Sequence, residues 1–531
     1  MGLKLFCAVF FLALFCHTVE SATILALFSS LSFTDHLVFR GYLSLLAQRG
    51  HSLVVMTPYP GHFTYPEVEK IVELDVGQVS APFWDEYKRL MTNTDDFYSR
   101  LKDINEYSLR LAITQFKSKQ MVALFINPNI KFDLVITEAD VPLLYAVADK
   151  YQAPHIAITA STGKIHQHEA KGNPVHPILY PDVNALNHCN MSRWAKLVEF
   201  YRHIQTKNEY YNNYLPLSEV AAKKLLGLKK PLQDVENDID LLFVASNPAL
   251  IGNRPSVPAV VYVDRLQIKP GLVFSFHFQD LLSTLNAASK GVVYFSIGAI
   301  QDAEQLSTNI LQTLADAFSE LPYTVLWKIG NTTMFKKPDN VIAQHWFPQQ
   351  QVLAHPNVKA FITHGGPRSL EEALFYEVPI IGFPNVKSSR AFIREITKHG
   401  AGEILDPYNM NKESVKVVIN AVVTDQKYKL ATTQLKHKIF DPIISGPDKA
   451  IWWTDYLLRH GTARHLRSPA VRLDFITYYM IDTLCYLVVG VSIALFVSLA
   501  IIRLTLRRIG RRFFGTRGSA AEPANTKFKA L

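Results

Sequence analysis

What most constrains this chain is an alternation of short apolar runs with helix-period segments, and it occurs twice. TILALFSS, from Thr23, reads as a buried strand. The segment HLVFRGYLSLLAQRG follows, with Leu37, Tyr42, Leu45 and Leu46 at helical spacing and Gly50 suited to the C-terminal cap. SLVVMTP then reads as a second strand. Strand, helix and strand within about forty residues make a βαβ unit, which demands a parallel sheet with a right-handed crossover. The pattern returns at FDLVITEADVPLLYAVADKYQAPHIAITAS. Beyond an irregular, aromatic stretch from Glu169 to Pro231 and a Pro-rich linker from Pro255 to Pro270, it restarts. GVVYFSIG, a helix over 302–320, TVLWKIG, VIAQHW, KAFITHGG and a helix through Ala373 follow in order. Two such halves predict an α/β chain of two doubly wound, Rossmann-like domains facing a cleft, with ligands at the C-terminal ends of the strands. The expected bounds are 22–254 for the first domain, 271–440 for the second, and 441–483 for helices returning toward the first domain and a membrane.

Both ends of the chain carry targeting signals. Residues 1–21 run from Lys4 through an apolar stretch to small residues, the order of a signal peptide cleaved after Ser21. Leu484 to Ile502 is free of charge and long enough to cross a bilayer. Of the 55 Lys and Arg, eight follow Ile502, opposed there only by Glu522, so most of the net charge of +9 sits in a basic tail over 503–531. The positive-inside rule puts that tail in the cytosol and the body in the lumen. Lys527 and Lys529, fifth and third from the end, read as a dilysine retrieval signal for the endoplasmic reticulum. Sequons at Asn190 and Asn331 agree with a lumenal body. The near-neutral remainder argues against a nucleic-acid-binding body. Cys7, Cys16 and Cys485 lie in the apolar runs. Cys189 is alone between them, so neither an internal disulfide nor a thiolate metal cluster is expected.

The stretch that carries chemistry is HWFPQQQVLAHPNVKAFITHGGPRSLEEALFYEVPIIGFP, residues 345–384. A strand ends at His364-Gly365-Gly366 and a helix begins. A helix N-terminus presents free backbone N–H groups and the positive end of its dipole, which suits a phosphate. The two glycines let backbone approach an anion, while His364 and Ser369 offer side-chain donors. Glu372 lies about two turns on from His364, where a carboxylate can accept from ribose hydroxyls. Trp346 offers an indole to stack on a base, and Gln349 an amide to the base or its sugar.

Trp-x-Pro-Gln, Leu-x-His-Pro, Phe-x-Thr-His-Gly-Gly-x-x-Ser-x-x-Glu-Ala and Val-Pro, in this order and spacing, resemble the signature of the UDP-glycosyltransferases. VVYFSIG, VLWKIG and the apolar C-terminus extend the likeness over essentially the whole chain. The resemblance implies a GT-B fold with the acceptor in the first domain and a UDP-sugar in the second, without cofactor or metal. Trp346 would stack on uracil, Gln349 and Glu372 would hold the ribose, and His364, Gly366 and Ser369 would hold phosphate. In this family a histidine in the first βα loop takes the acceptor proton, steadied by an acidic residue. His36 is expected in that role, with Glu138 as its partner and Asp140 as the fallback.

Several positions depart from the family pattern. Ser388 and Ser389 stand where an Asp-Gln pair normally contacts the sugar, and Phe392 stands at a following Asn. Ala299 replaces a Ser, Glu377 a Gly, and Asp264-Arg265 a Gly-Gly. Arg368, beside Ser369, is open to contact with phosphate or with solvent. The expected function is inverting, metal-independent transfer of a hexose or hexuronic acid to a hydroxyl of a small lipophilic acceptor, by a single-pass membrane protein able to associate with relatives. The alternative is a non-catalytic UDP- or lipophile-binding relative that modulates active members.

Overall fold

Strands β1 (Thr23–Leu27) and β4 (Leu134–Glu138) carry apolar side chains on both faces and are buried almost throughout, as strands covered by helices on two sides must be. The computed structural model describes residues 21–61, 70–92, 97–180, 191–269, 278–298, 306–333, 335–385 and 389–514. The signal-peptide segment, Cys189, Asn190, Ala299, Ser388 and the tail with Lys527 and Lys529 lie outside the described residues. The chain divides into two units, Met1–Ser468 and Pro469–Leu531.

The first unit contains two parallel sheets. In the first, β1, β2 (Ser52–Thr57), β3 (Ile71–Asp75), β4, β5 (His155–Thr159), β6 (Leu241–Val244) and β7 (Val260–Tyr262) lie in the order β3-β2-β1-β4-β5-β6-β7. In the second, β8 (Val292–Ser296), β9 (Thr324–Lys328), β10 (Val341–Gln344), β11 (Val358–Thr363), β12 (Ile380–Gly382) and β13 (Gly402–Ile404) lie in the order β10-β9-β8-β11-β12-β13. Each sheet therefore reverses its winding beside its first strand, between β1 and β4 and between β8 and β11, which is where a doubly wound sheet opens a ligand crevice. This is the two-domain GT-B arrangement. The seventh strand falls within the Pro-rich stretch, because Leu242, Phe243 and Val244 pair with Val260, Val261 and Tyr262.

Six helices of this unit bear on the site. They are α1 (Phe33–Gln48), α2 (Phe97–Phe116), α3 (Gln349–Ala354), α4 (Pro367–Phe375), α5 (Ser389–Lys398) and α6 (Gly446–His460). Helix α1 starts at Ser32, whose hydroxyl accepts from Asp35 N at 3.4 Å. It buries Val38, Phe39, Tyr42, Leu43 and Leu46 against the first sheet, and His36 lies on that same inward face. Helix α6 follows the second domain in sequence but packs into the first domain's core. Ala450, Ile451 and Leu457 join the cluster around α1, and Tyr42 Oη lies 2.6 Å from Thr454 Oγ1. The connection between domains passes so close to α1 that a Cβ at Gly41 would sit 1.7 Å from the Leu266 carbonyl oxygen. A glycine is obligatory there.

The second unit contains α7 (Ile481–Phe514), 34 residues with an apolar window of mean hydropathy 2.6. At a rise of about 1.5 Å per residue it exceeds a hydrocarbon core of about 30 Å, which supports a single membrane-spanning segment.

Candidate active site

A cavity of about 520 Å³ opens at the C-terminal ends of β5, β8, β9 and β11, with α1 forming the opposite wall. Trp346, Gln349, His364, Gly366, Ser369 and Glu372 all line it. The six residues are scattered over 27 positions of sequence and are gathered by the turn after β11 and the N-termini of α3 and α4.

Their geometry is specific. Gly365 holds a φ of +90°, and a Cβ there would collide with the Ile393 side chain on α5. This turn swings the His364 ring between Gly298 and Gly366. A Cβ at either glycine would fall within 2.8 Å of that ring. His364 Nδ1 is buried without a hydrogen-bond partner in the structure. Burial, and then the charge on Lys328, pull the His364 pKa down to about 4, so the ring is neutral at physiological pH and offers a single N–H. Gly366 is the N-cap of α4, where no side chain caps the helix, and Pro367 at N1 has no N–H to spare. The backbone N–H groups of the first turn, at Arg368 and Ser369, therefore begin the helix at the cavity wall.

Gln349 Nε2 donates to Glu372 Oε2 at 2.7 Å and to Ser369 Oγ at 3.2 Å, while Gln350 Nε2 donates to Glu372 Oε1 at 3.1 Å. Burial outweighs these bonds and pushes the Glu372 carboxyl up to about 7. Trp346 remains 44% exposed, an unusual state for an indole. Its edge meets Phe33 of α1 at 5.3 Å between ring centroids, and Lys328 Nζ stands 5.9 Å over the ring. Five cations line the cavity; Arg368 and Arg40 are paired with Glu371 and Glu73, and Arg100, Lys269 and Lys328 stand with the carboxyl groups of Asp35 and Glu372, a balance that still favours an anionic ligand. Lys328 is a site residue the motif reading missed. Its signal was a lysine closing an otherwise apolar strand, TVLWK.

The first-domain wall differs from expectation. His36 is 1% exposed and is not among the cavity-lining residues. Its Nε2 donates to the Ser30 carbonyl at 2.8 Å, and Phe28, Phe39 and Tyr59 pack around the ring. Burial takes its pKa down to about 3. Nor does the structure bring Glu138 onto His36. Its Oε2 accepts from the backbone of Ser29 at 2.8 Å and of Ser30 at 2.9 Å. Burial first, and then Asp140, push the Glu138 carboxyl up to about 7. Asp140 is held by Lys164 at 3.1 Å and by Thr159 at 3.1 Å. The reason for the difference is helical phase. Position 36 shares the inward stripe of Phe39 and Leu43, whereas Thr34, Leu37, Gly41 and Ser44 form the stripe that faces the cavity. Asp35, half-buried on the first turn, lines the cavity in place of its neighbour.

Of the residues expected to depart from the family pattern, those described take defined positions. Arg368 contacts neither solvent nor an open anion site at its donating end. It is 8% exposed and reaches the first domain, donating to the Ala160 carbonyl at 2.6 Å and to Ser246 Oγ at 3.2 Å, with Glu371 Oε2 at 3.2 Å. Ser389, 6% exposed, lines the cavity at the start of α5. Glu377 and Arg265 both have a φ of +59°, the left-handed conformation that makes glycine the easy residue there. Glu377 is held by Lys436 at 2.8 Å and Thr433 at 2.9 Å, and Arg265 stacks over Phe440 at 4.9 Å. Among the described residues, no three His, Cys, Asp or Glu side chains gather as a metal site.

Residues 25–513 match the family described as UDP-glucoronosyl and UDP-glucosyl transferase. An ecdysteroid UDP-glucosyltransferase of Spodoptera littoralis nuclear polyhedrosis virus is 30% identical over 482 residues, 86% of this chain and 92% of that protein. A UDP-glycosyltransferase of Dactylopius coccus is 28% identical over 504 residues, 92% of each chain. Among solved structures, a spinosyn forosaminyltransferase superposes with a TM-score of 0.54 at 15% identity, over 83% of this chain and all of that one. This last likeness concerns the fold alone.

Proposed function

The chain belongs to the UDP-glycosyltransferase family, and on that premise we propose that it moves a hexose or hexuronic acid from a UDP-sugar to a hydroxyl of a small lipophilic acceptor. The observation that carries this reading is the convergence of Trp346, Gln349, His364, Gly366, Ser369 and Glu372 on one cavity with a surplus of cations. Uracil stacks on the exposed indole of Trp346. Glu372, steadied by Gln349 and Gln350, accepts from the ribose hydroxyls. The α4 N-terminus, the His364 N–H and the Ser369 hydroxyl take the diphosphate, with Lys328 adding charge. These contacts strengthen as charge develops on the departing UDP, which lowers the barrier to leaving without a cofactor or metal. Attack from the α1 side, opposite the diphosphate, inverts the anomeric centre.

Glucose is the favoured donor, since the first relative is named a glucosyltransferase. Ser388 and Ser389 stand in sequence where the family usually has an Asp-Gln pair, and of the two Ser389 lines the cavity, offering the sugar a hydroxyl in place of an amide. The acceptor enters past Leu37 of α1, Arg100 of α2 and Met91 of the helix Trp84–Thr92. The body works in the lumen of the endoplasmic reticulum, anchored by α7 with the basic tail in the cytosol. Association with relatives in the membrane is part of this proposal.

The burial of His36 and the serines at the sugar positions favour a second reading, a UDP-binding relative that does not catalyse transfer. A panel of UDP-glucose, UDP-glucuronic acid, UDP-galactose and UDP-N-acetylglucosamine, offered to the full-length protein with phenolic acceptors, separates the two. Product from one donor in preference to the others supports the enzyme. UDP binding without product from any donor supports the second reading.

A further inference from the structure

We propose that Asp35, rather than a histidine, takes the proton from the acceptor hydroxyl. The inference rests on the transferase reading above and names the group that reading leaves unassigned.

The geometry begins with the first turn of α1. Ser32 caps the helix and fixes Asp35 at its third position. Successive residues of a helix turn by about 100°, so the residue before an inward-facing His36 points to a different surface. That surface is the cavity. Two residues earlier, Phe33 touches Trp346 edge-on, which brings the start of α1 against the proposed donor wall. Across the gap, Arg368 of α4 lies close enough for its charge to act on the Asp35 carboxylate. Asp35 is therefore a cavity-lining carboxylate on the first-domain side, set against the helix that begins at Gly366. His36, by contrast, spends its N–H on Ser30 and is enclosed by aromatic rings.

The groups acting on Asp35 set its basicity. Burial pushes its carboxyl up to about 6, Ser32 and Arg368 pull it down, and Asp140 pushes it up. Glu138, Tyr59 and Tyr87 also feel its charge. At neutral pH the group is mostly ionised yet more basic than an ordinary aspartate, a suitable compromise for a general base. In the step, the acceptor oxygen bonds to the anomeric carbon while its proton passes to an Asp35 oxygen. The bond from that carbon to the β-phosphate oxygen breaks, and its electron pair leaves with UDP. Water takes the proton back from Asp35 after product release.

The test uses the full-length protein in detergent, with UDP-glucose and UDP-glucuronic acid as donors and two acceptor probes. 4-Methoxyphenol keeps its proton at pH 8, whereas 4-nitrophenol is already largely ionised. Asp35→Asn is expected to lose about 10²–10⁴-fold in kcat/KM with 4-methoxyphenol and less than about tenfold with 4-nitrophenol. Its UDP affinity and melting temperature should stay near those of the unaltered protein. Asp35→Glu should recover part of the loss. The unaltered protein should show an acid limb near pH 6 with 4-methoxyphenol, absent from Asp35→Asn. Equal losses on both acceptors, no loss at all, or a selective loss in His36→Gln instead would overturn the assignment while leaving the transferase reading in place. A protein that binds UDP but transfers to neither acceptor from either donor would overturn both.

Discussion

Arg368→Ala should destabilise the two-domain body by about 3 kcal/mol, and the deficit should grow with pH. The guanidinium is 8% exposed and makes three contacts, to the Ala160 carbonyl, to Ser246 Oγ and to Glu371 Oε2. Two of these cross from the second domain to the first. Removing one member of a buried pair costs about 3–5 kcal/mol, because the partner charge is left without compensation. Glu371 is 2% exposed but keeps Gln267 Nε2 at 2.6 Å and Arg265 N at 3.2 Å, which argues for the lower end of that range. With an unfolding entropy of roughly 2 cal/mol/K per residue, a body of this size shifts by about 1 °C per kcal/mol, so the expected loss is about 3–4 °C. The pH sign follows from Glu371. Burial raises its folded pKa and Arg368 restrains that rise. Without Arg368 the folded pKa climbs further above the unfolded value of about 4.3. Stability that depends on a protonated Glu371 is fully present below that unfolded value and is lost as pH rises through the folded one. Thermal unfolding of the variant beside the unaltered protein at pH 5 and pH 8 reads the difference. A deficit under about 1 kcal/mol that stays flat with pH would refute the reasoning.

Gly41→Ala would raise helix propensity by about 1 kcal/mol in an isolated helix. Here it should destabilise instead, because the added Cβ meets the Leu266 backbone at 1.7 Å and the interdomain connection must move; a raised melting temperature would show that the approach is not close. UDP-glucose has no phosphate group titrating near neutrality, so a pH dependence of its binding reports the protein. Calorimetry should show affinity rising as pH passes upward through about 7, where Glu372 ionises, and Glu372→Gln should flatten that dependence and bind more weakly. Glu377→Gly trades two opposing effects. It relieves left-handed strain of about 1–2 kcal/mol and gives up partly exposed ion pairs worth about 0–1 kcal/mol. Near neutral pH the melting temperature should hold or rise. Lys436 keeps the Glu377 pKa down to about 2, so the ion-pair contribution is present above an unfolded value of about 4.3 and is lost as pH falls toward 2. The variant should therefore gain on the unaltered protein in acid.

The fold was legible in the sequence because buried parallel strands are short apolar runs and their crossover helices carry a different period. TILAL, LVITE, VVYFS and VKAFIT became β1, β4, β8 and β11. That Trp346, Gln349, His364, Gly366, Ser369 and Glu372 share one cavity wall was legible for a related reason, since a strand-to-helix turn confines several polar residues to one stretch of chain. The opposite wall depends on which way α1 is rotated. The segment FTDHLVFRGYLSLL has apolar residues on two faces, and sequence alone does not decide whether Asp35 or His36 looks inward. The packing of Phe39 and Leu43 decides it, and α6, more than 400 positions away, completes that core. Arg368 was ambiguous in the same way, because its partners Ala160 and Ser246 come from the other domain. The strand β7 was hidden by the prolines on either side of it, which mark a linker in composition while three residues between them still pair with β6.

Isothermal titration of the full-length protein with UDP bears most directly on whether the cavity behind His364-Gly365-Gly366 is a nucleotide site. One saturable site is predicted, weakened about 5–150-fold by Trp346→Ala through the loss of about 1–3 kcal/mol of base stacking, and weakened also by His364→Ala. Absence of a saturable signal, or unchanged binding in both variants, would contradict the account.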